Sequence, residues 1–229
     1  MEYRINHGPV FSVLEIDLDA DEAVVAQPNS MLSMTGGIGL SAAIGRRGAG
    51  SGVWSGFKSL LGGENFFTAE FAAKKPGQRL ILAPESHGDI LSLDLAHTTG
   101  FYLTRGSYLA NVGECDLKIK YGGIKGVMSK KGLFLLHASG TGTVFCQCFG
   151  AVIAHELGEG ERFFVDNRFV VAFTDTVQYQ LVKATESVKD SLMSGEGLVN
   201  RYTGPGMLYY QTRGKPSAGL LTRLFDAAF

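Results

Sequence analysis

Short apolar runs that alternate with polar residues recur along this chain and predict β-strands. Residues 16–18, 93–95 and 155–157 alternate in this way, as a half-buried strand does. Each triplet leads, through an Asn or a Gly, to a second apolar run, which predicts a tight turn or bulge with positive φ. Residues 163–173 are apolar on both faces and predict a single strand that is covered on both sides.

A second element occurs three times and carries a lysine in each copy. Residues 57–66 and 124–133 align without a gap, and residues 188–198 align after one extra residue. Each copy is followed by an apolar run, a glycine-containing turn and another apolar run, which predicts strand, turn and strand. Repetition of this kind predicts a chain built from copies of one unit. The three lysines are Lys58, Lys125 and Lys189.

The repeats predict an all-β protein with few short helices. They indicate one compact unit of three β modules, with boundaries roughly at residues 1–63, 64–131 and 132–213, and a C-terminal tail at 214–229. Helical spacing of apolar residues predicts a short helix over 53–61 and another in the tail.

Both predicted helices have an apolar face that needs a cover. Trp54 and Phe57 share a face of the first helix, and the C-terminal tail carries an apolar stripe. Packing of Trp54 on the core is the simpler interpretation, and a contact with a protein partner through the Trp54/Phe57 region or the tail is the alternative.

Composition places the chain among globular proteins. Hydrophobic residues make up 45% and charged residues 19%, and a net charge of −1 gives no general attraction to nucleic acid or anionic lipid. No signal peptide is recognisable, and no apolar stretch reaches the roughly 18 residues of a membrane span. Three cysteines, an odd number, argue against a disulfide framework. A reducing cytoplasm is therefore the expected location.

One polar loop invites comparison with a hydrolase triad. Ser86, His87 and Asp89 lie within four consecutive residues. Members of a Ser-His-Asp triad converge from separate segments beside an oxyanion hole, so neighbours in one loop rarely have the necessary geometry. We interpret this stretch as a polar hairpin loop and predict no catalytic residues.

Two cysteines raise the question of a metal site. Cys146 and Cys148 are two apart on a predicted strand and share a face, and His137 or His155 could complete a ligand set. Zinc sites usually show paired groups of spaced cysteines, and only one close pair exists here. Buried cysteine behaves as a small hydrophobic residue, so core packing is favoured and no metal or cofactor is expected.

The glycine-rich stretch 45–52 contains two arginines and suggests an anion-binding loop. It lacks the Gly-Lys-Ser/Thr ending of a P-loop, and no acidic residue follows at the position expected of a dinucleotide loop. A surface loop is the simpler interpretation, and contact with an anion is the alternative.

Four groups of short stretches carry a family resemblance: residues 27–31, 62–64, 82–84 with 88–89, and 195–198 with 204–206. No single stretch is specific, but their order and spacing over about residues 10–213 resemble the altered-inheritance-of-mitochondria family, a family linked to mitochondrial biogenesis. The middle copy departs from the pattern, with Lys130-Lys131 where the others have Gly-Glu.

The resemblance implies a bacterial member of this family, formerly of unknown function. It implies three modules that are each a short double-stranded β-helix, as in the trp RNA-binding attenuation protein, and a ring made by several chains. Eukaryotic relatives are linked to organisation of the mitochondrial inner membrane. The family has no established catalytic residues, so the resemblance implies none.

Three functions compete. The first is a non-enzymatic scaffold or assembly protein, expected as a homotrimeric ring because the outer modules leave unpaired sheet edges. The second is a module that binds a ligand or RNA in clefts between the repeats, where Lys58, Lys125 and Lys189 would form a ring of positive charge. Taken singly, each of these lysines has the simpler interpretation of a solvated turn residue. The third is an enzyme acting at His87 or His137, and it is disfavoured because no nucleophile, base and orienting group are recognisable together.

Overall fold

The computed structural model describes residues 1–44, 67–104, 106–122, 133–183 and 198–214. These residues form nineteen β-strands and no helix, so the prediction of an all-β protein is confirmed. The helices predicted over 53–61 and in the C-terminal tail lie outside the described residues.

The strands are short. Apolar runs predict strands at residues 66–72, 79–83, 90–95, 101–103, 108–112 and 116–121, and in each case both ends of the observed strand lie within one residue of the expected position. In chain order they are β1 (Glu2–Asn6), β2 (Val13–Leu18), β3 (Ala23–Ala26), β4 (Met31–Met34), β5 (Ile38–Ile44), β6 (Phe67–Ala73), β7 (Gln78–Leu82), β8 (Ile90–Asp94), β9 (Phe101–Thr104), β10 (Tyr108–Val112), β11 (Cys115–Gly122), β12 (Leu133–Gly140), β13 (Thr143–Gln147), β14 (Val152–Leu157), β15 (Arg162–Val165), β16 (Val170–Thr174), β17 (Gln178–Lys183), β18 (Leu198–Thr203) and β19 (Gly206–Gln211).

The strands form four antiparallel sheets with related strand orders. The orders are β1-β2-β7-β4, β5-β6-β3-β10-β13-β8, β11-β12-β9-β16-β19-β14 and β15-β18-β17. Adding six to every strand number of the second sheet gives the third. The same shift relates β4-β7-β2 of the first sheet to β10-β13-β8 of the second, and β9-β12-β11 of the third sheet to β15-β18-β17 of the fourth.

The three predicted glycine turns are confirmed as chain reversals, but they do not form hairpins. They lie between β6 and β7, between β12 and β13, and between β18 and β19. At each turn the two strands belong to different sheets. Neighbours in sequence that do pair include β5 with β6, β11 with β12, and β17 with β18. The turns therefore carry the chain from one sheet to the next.

The apolar core is divided into three clusters, each of which joins two successive sheets. Alternation along the strands turns one face of each sheet toward its neighbour, and the buried residues of the two faces pack together. Examples from the two sheets of each cluster are Leu14 with Phe71, Val144 with Ala172, and Tyr202 with Leu208.

The prediction of one strand over residues 163–173 is wrong. The chain forms β15 and β16, separated by a turn in which the Phe169 N–H donates to the Asp166 carbonyl at 2.9 Å. β15 pairs in the fourth sheet and β16 in the third. Only β16 has the buried, two-sided character that the apolar run suggested.

The predicted turns with positive φ are confirmed at two of three places. The prediction is wrong for the third copy, because Asn167 does not have positive φ. Asn29 has φ 64° and Gly106 has φ 75°, just before β4 and β10 respectively. The pairing of each strand is then interrupted by a register shift near its start. A left-handed backbone conformation causes no steric strain for Gly and is tolerated by Asn, which explains the residue types at these positions.

Candidate functional site at two open sheet edges

The residues predicted to bind a ligand, Lys58, Lys125 and Lys189, lie outside the described residues. Trp54, Phe57, the glycine-rich stretch 45–52 and the tail beyond residue 214 do so too. The three lysines share one topological position, because each lies between two strands that pair with each other. Those strand pairs are β5 with β6, β11 with β12, and β17 with β18.

The polar loop around His87 does not assemble a triad. The Asp89 carboxylate accepts a hydrogen bond from the Ser12 hydroxyl at 3.1 Å and another from the Ile90 N–H at 2.8 Å. The His87 ring lies edge-on to Phe11, with ring centroids 5.7 Å apart. The loop joins β7 of the first sheet to β8 of the second, so the hairpin interpretation is wrong although its polar, connecting character is confirmed.

His137 lies in a polar group of a different kind. Its Nε2 is 3.2 Å from one carboxylate oxygen of Asp175, and its ring lies 5.0 Å from that of Tyr102. The Thr99 hydroxyl donates to the other oxygen of Asp175. Because this hydroxyl faces the carboxylate and not the imidazole, the geometry does not activate it as a nucleophile.

Core packing of Cys146 and Cys148 is confirmed. Both lie in the cluster between the second and third sheets, and both are free thiols. Burial raises the pKa of Cys148 to about 12 and that of Cys146 well above its ordinary value, so both thiols are neutral at physiological pH. Within the part of the chain that the structure describes, no three His, Cys, Asp or Glu residues are grouped as a metal site would require.

Most strands at the outer edges of the four sheets correspond to one another under the shift of six strand numbers. β5, β11 and β17 are outermost in their sheets, as are β8 and β14. In the first sheet the corresponding strand, β2, is covered by β1.

Ion pairs link β2 to the strands on both of its sides. The guanidinium groups of Arg79 in β7 and Arg4 in β1 contact the carboxylate of Asp17 in β2 at 3.0 and 2.6 Å, and hydrogen bonds from the two arginines lower the pKa of Asp17.

The edge strands β4 and β15 are exceptions, because the strands that correspond to them in the other sheets are interior. β10 pairs with β13 on one side and β3 on the other, and β16 pairs with β19 and β9. Among the described strands, β4 pairs with β7 alone. In the same way, β3 and β9 each pair on both sides, whereas β15 pairs with β18 alone among the described strands.

β4 is apolar, yet all four of its residues are exposed. Each of β4, β10 and β16 has a register shift that skips its second residue, so Leu32, Leu109 and Val171 correspond. Leu109 and Val171 are fully buried, whereas 60% of the surface of Leu32 is exposed. Sites equivalent to β4 are thus buried wherever a neighbouring strand covers them.

β15 presents a second apolar edge. Phe164 is 56% exposed, while Phe163 stacks on the His155 ring with centroids 4.3 Å apart. In the turn that follows, burial alone would raise the pKa of Asp166, but hydrogen bonds from Arg168 outweigh it and lower the pKa. The edge of β15 is therefore aromatic, with an anchored carboxylate beside it.

Sequence reasoning predicted that the outer modules have open edges but did not identify these residues. Met31–Met34 and Tyr108–Val112 are both short apolar strands, and nothing local distinguishes the exposed one from the buried one. The one available signal was the alignment of the repeat that begins at residues 16–18 and 93–95, which places Leu32 in the same position as Leu109.

The described residues contain no helix long and apolar enough to cross a membrane. The chain is similar to other proteins over nearly all of its length. It is 29% identical over 216 residues to an uncharacterized protein of Streptococcus pyogenes serotype M6, covering 93% of this chain and 86% of that protein.

A solved structure has the same architecture. The crystal structure of protein SPYM3_0169 from Streptococcus pyogenes matches with a TM-score of 0.75 and 28% identity, covering 97% of this chain and 99% of the other. The sequence profile described as mitochondrial biogenesis AIM24 matches residues 3–213. The chain therefore belongs to the AIM24 mitochondrial biogenesis family.

Proposed function

We propose that this chain is a non-enzymatic scaffold or assembly protein whose copies associate head to tail into a ring, with three chains per ring. The specific role is carried by the assembled surface and not by a catalytic centre within one chain. Each chain contributes three β modules of the kind found in the trp RNA-binding attenuation protein, a short double-stranded β-helix.

The repeated strand order supports three modules. Strands six numbers apart occupy the same place in successive sheets. The module boundaries predicted after residues 63 and 131 lie between β5 and β6 and between β11 and β12, which are also six strand numbers apart. Both boundaries therefore cut the repeat at the same point.

The observation that carries the proposal is the exposure of β4. An isolated apolar edge strand is a template for pairing with another chain, and soluble proteins usually protect such edges. β4 is exposed along its whole length although its counterparts β10 and β16 are almost entirely buried. A covering strand from a second copy would give β4 the environment that β10 and β16 already have.

The two exceptional edges are different surfaces, β4 near the N-terminus and β15 in the last part of the chain. Contacts between two different patches are heterologous, and they close into a ring when the rotation per step permits it. Three chains of three modules would close with every edge of this kind covered.

The absence of a recognisable reaction centre in the described residues favours a non-catalytic role. Asp89 and His87 contact different partners, and the hydroxyl near His137 donates to a carboxylate. The buried thiols are neutral and are poor nucleophiles, because the thiolate is the reactive form.

Light scattering after size-exclusion chromatography, at micromolar protein concentration, tests the proposal. We expect a mass of three chains. A mass of one chain would overturn self-association, and a dimer would require a different closure. The chain should also show no hydrolytic activity that depends on His87 or His137, because the proposed role requires none.

A further inference from the structure

We infer that β15 of one copy pairs antiparallel with β4 of the next copy in one defined register, with Val165 opposite Ser33, Phe164 opposite Met34 and Phe163 opposite Thr35. This inference rests on the proposed self-association and specifies its interface. The fourth sheet of one chain and the first sheet of its neighbour then form one continuous sheet.

The register on the β15 side follows from a recurring turn. Ser30, Ser107 and Phe169 each donate an N–H to the carbonyl three residues earlier, which belongs to Gln27, Thr104 and Asp166. The residues immediately before these acceptors are Ala26, Leu103 and Val165, and they therefore correspond. Val165 should therefore have a cross-strand partner in the next copy equivalent to the partners of Ala26 and Leu103 within the chain.

The partner follows from two internal junctions of the chain, at which β3 pairs with β10 and β9 pairs with β16. Ala26 lies opposite Ala110, and Leu103 lies opposite Ala172. Ala110 and Ala172 are the first residues after the register shifts in β10 and β16, and the residue in that position in β4 is Ser33. Val165 of one copy is therefore placed opposite Ser33 of the next.

Antiparallel pairing then fixes the two neighbouring pairs. At the internal junctions, Val25 lies opposite Asn111, and Tyr102 lies opposite Phe173 with ring centroids 5.4 Å apart. The corresponding pair between copies is Phe164 with Met34, both exposed in the single chain. A thioether against an aromatic ring is a favourable contact and buries two apolar side chains together.

One backbone hydrogen bond extends the match beyond the strands. The Gln27 N–H donates to the Leu109 carbonyl at 2.7 Å across the first internal junction. Asp166 corresponds to Gln27 and Leu32 corresponds to Leu109, so the Asp166 N–H is expected to donate to the Leu32 carbonyl of the next copy. This bond would place Leu32 in the junction, where its counterparts are buried.

Disulfide trapping tests the register. Residues directly opposite in an antiparallel pair have Cβ atoms about 4.5–5.5 Å apart, close to disulfide geometry. The double variant Met34→Cys/Phe164→Cys should, under mild oxidation, run mainly as covalent multimers on a non-reducing gel and revert to single chains on reduction. Cys146 and Cys148 are buried, and the partly exposed Cys115 lies in β11, outside both β4 and β15. Because all three native cysteines are also present in the control variant, any cross-link through them would appear in both variants.

The matched control is Met34→Cys/Val165→Cys. A shift of one residue turns the side chain to the opposite face of the sheet, so this variant should not cross-link. Multimers from the control alone, or from neither variant, combined with a wild-type mass of three chains, would overturn the register while the proposed assembly stands. A wild-type mass of one chain would overturn both.

Hydrogen exchange on the wild-type protein gives a second reading that needs no substitution. Backbone amides in the predicted pair should exchange as slowly as those of the internal junctions, so peptides covering residues 31–35 and 163–166 should match those covering 108–112 and 101–104. Exchange in the first two peptides that is at least about a hundredfold faster, in an assembled protein, would contradict the pairing of β4 with β15.

Discussion

Truncation of Leu32 to alanine measures how much the proposed junction stabilises the assembly. In the single chain 60% of the surface of Leu32 is exposed, so the substitution leaves the fold of the chain nearly unchanged. In the junction, Leu32 would become buried like Leu109 and Val171. Burial of a whole leucine is worth about 1.5–3 kcal/mol, so burial of the exposed part contributes about 1–2 kcal/mol per junction.

This free energy predicts a measurable change in affinity. Because about 1.4 kcal/mol corresponds to a factor of ten, the dissociation constant of each junction should rise about five- to thirtyfold in Leu32→Ala. Sedimentation equilibrium over a dilution series compares this variant with the wild type. The expected result is that the variant dissociates to single chains at a concentration where the wild type is still assembled.

Leu40→Ala is the matched control. Leu40 is 56% exposed and lies on β5, an edge strand whose counterparts β11 and β17 are also edges. The substitution Leu40→Ala should therefore leave the assembly unchanged. Identical dilution curves for Leu32→Ala and the wild type, or equal dissociation of both variants, would refute the reasoning that assigns β4 to the junction.

Three further predictions concern the fold, the thiols and the lysines. Gly88→Ala should destabilise the chain by about 1–3 kcal/mol in urea unfolding, since the new Cβ would lie 1.8 Å from the Cys148 carbonyl oxygen, whereas Gly36→Ala, whose Cβ meets nothing within 4 Å, should cost far less. The pKa of Cys148 is about 12 in the folded chain and about 8.5 when unfolded, so the stability that the neutral thiol contributes is complete below the unfolded pKa and is lost as pH rises toward 12. Between pH 8 and 10.5, Cys148→Ala should therefore lose less stability than the wild type. Equal losses in the two proteins would contradict this. If the wild type binds single-stranded RNA, replacing the three repeated lysines with alanine should weaken binding and its salt dependence while unfolding stability stays within about 0.5 kcal/mol, and an absence of salt-sensitive binding in the wild type would remove the RNA-binding alternative. Those lysines are Lys58, Lys125 and Lys189.

Local sequence determined where the strands and turns are. The run at residues 90–95 predicted β8, and the runs at 101–103 and 108–112 predicted β9 and β10. Alternation of apolar and polar residues has a period of two in a strand, and a glycine turn needs only a few neighbouring residues. Both signals are local, so they can be read without knowledge of the partners.

Repetition in the sequence also indicated correspondence between distant segments. The triplets at 16–18, 93–95 and 155–157 fall at the ends of β2, β8 and β14, or directly after them, and these strands are six numbers apart in the fold. Similar segments experience similar packing requirements, so an internal repeat carries information about topology that a single segment does not.

Only the tertiary structure decided which strands pair. The glycine turns looked like hairpins, but the strands on either side of each turn enter different sheets. The apolar run at 163–173 looked like one strand, but it divides between the fourth and third sheets. Pairing depends on residues far apart in the chain, and no local pattern encodes which distant edge a strand will meet.

Exposure was decided in the same way. Leu32 and Leu109 occupy equivalent positions in equivalent strands, yet one is largely exposed and the other fully buried. The difference arises because β10 has β3 on its second side, whereas β4 lies at the end of its sheet. The sequence determines that both residues are apolar, and the position of each strand within its sheet determines whether that apolar surface is left available to another chain.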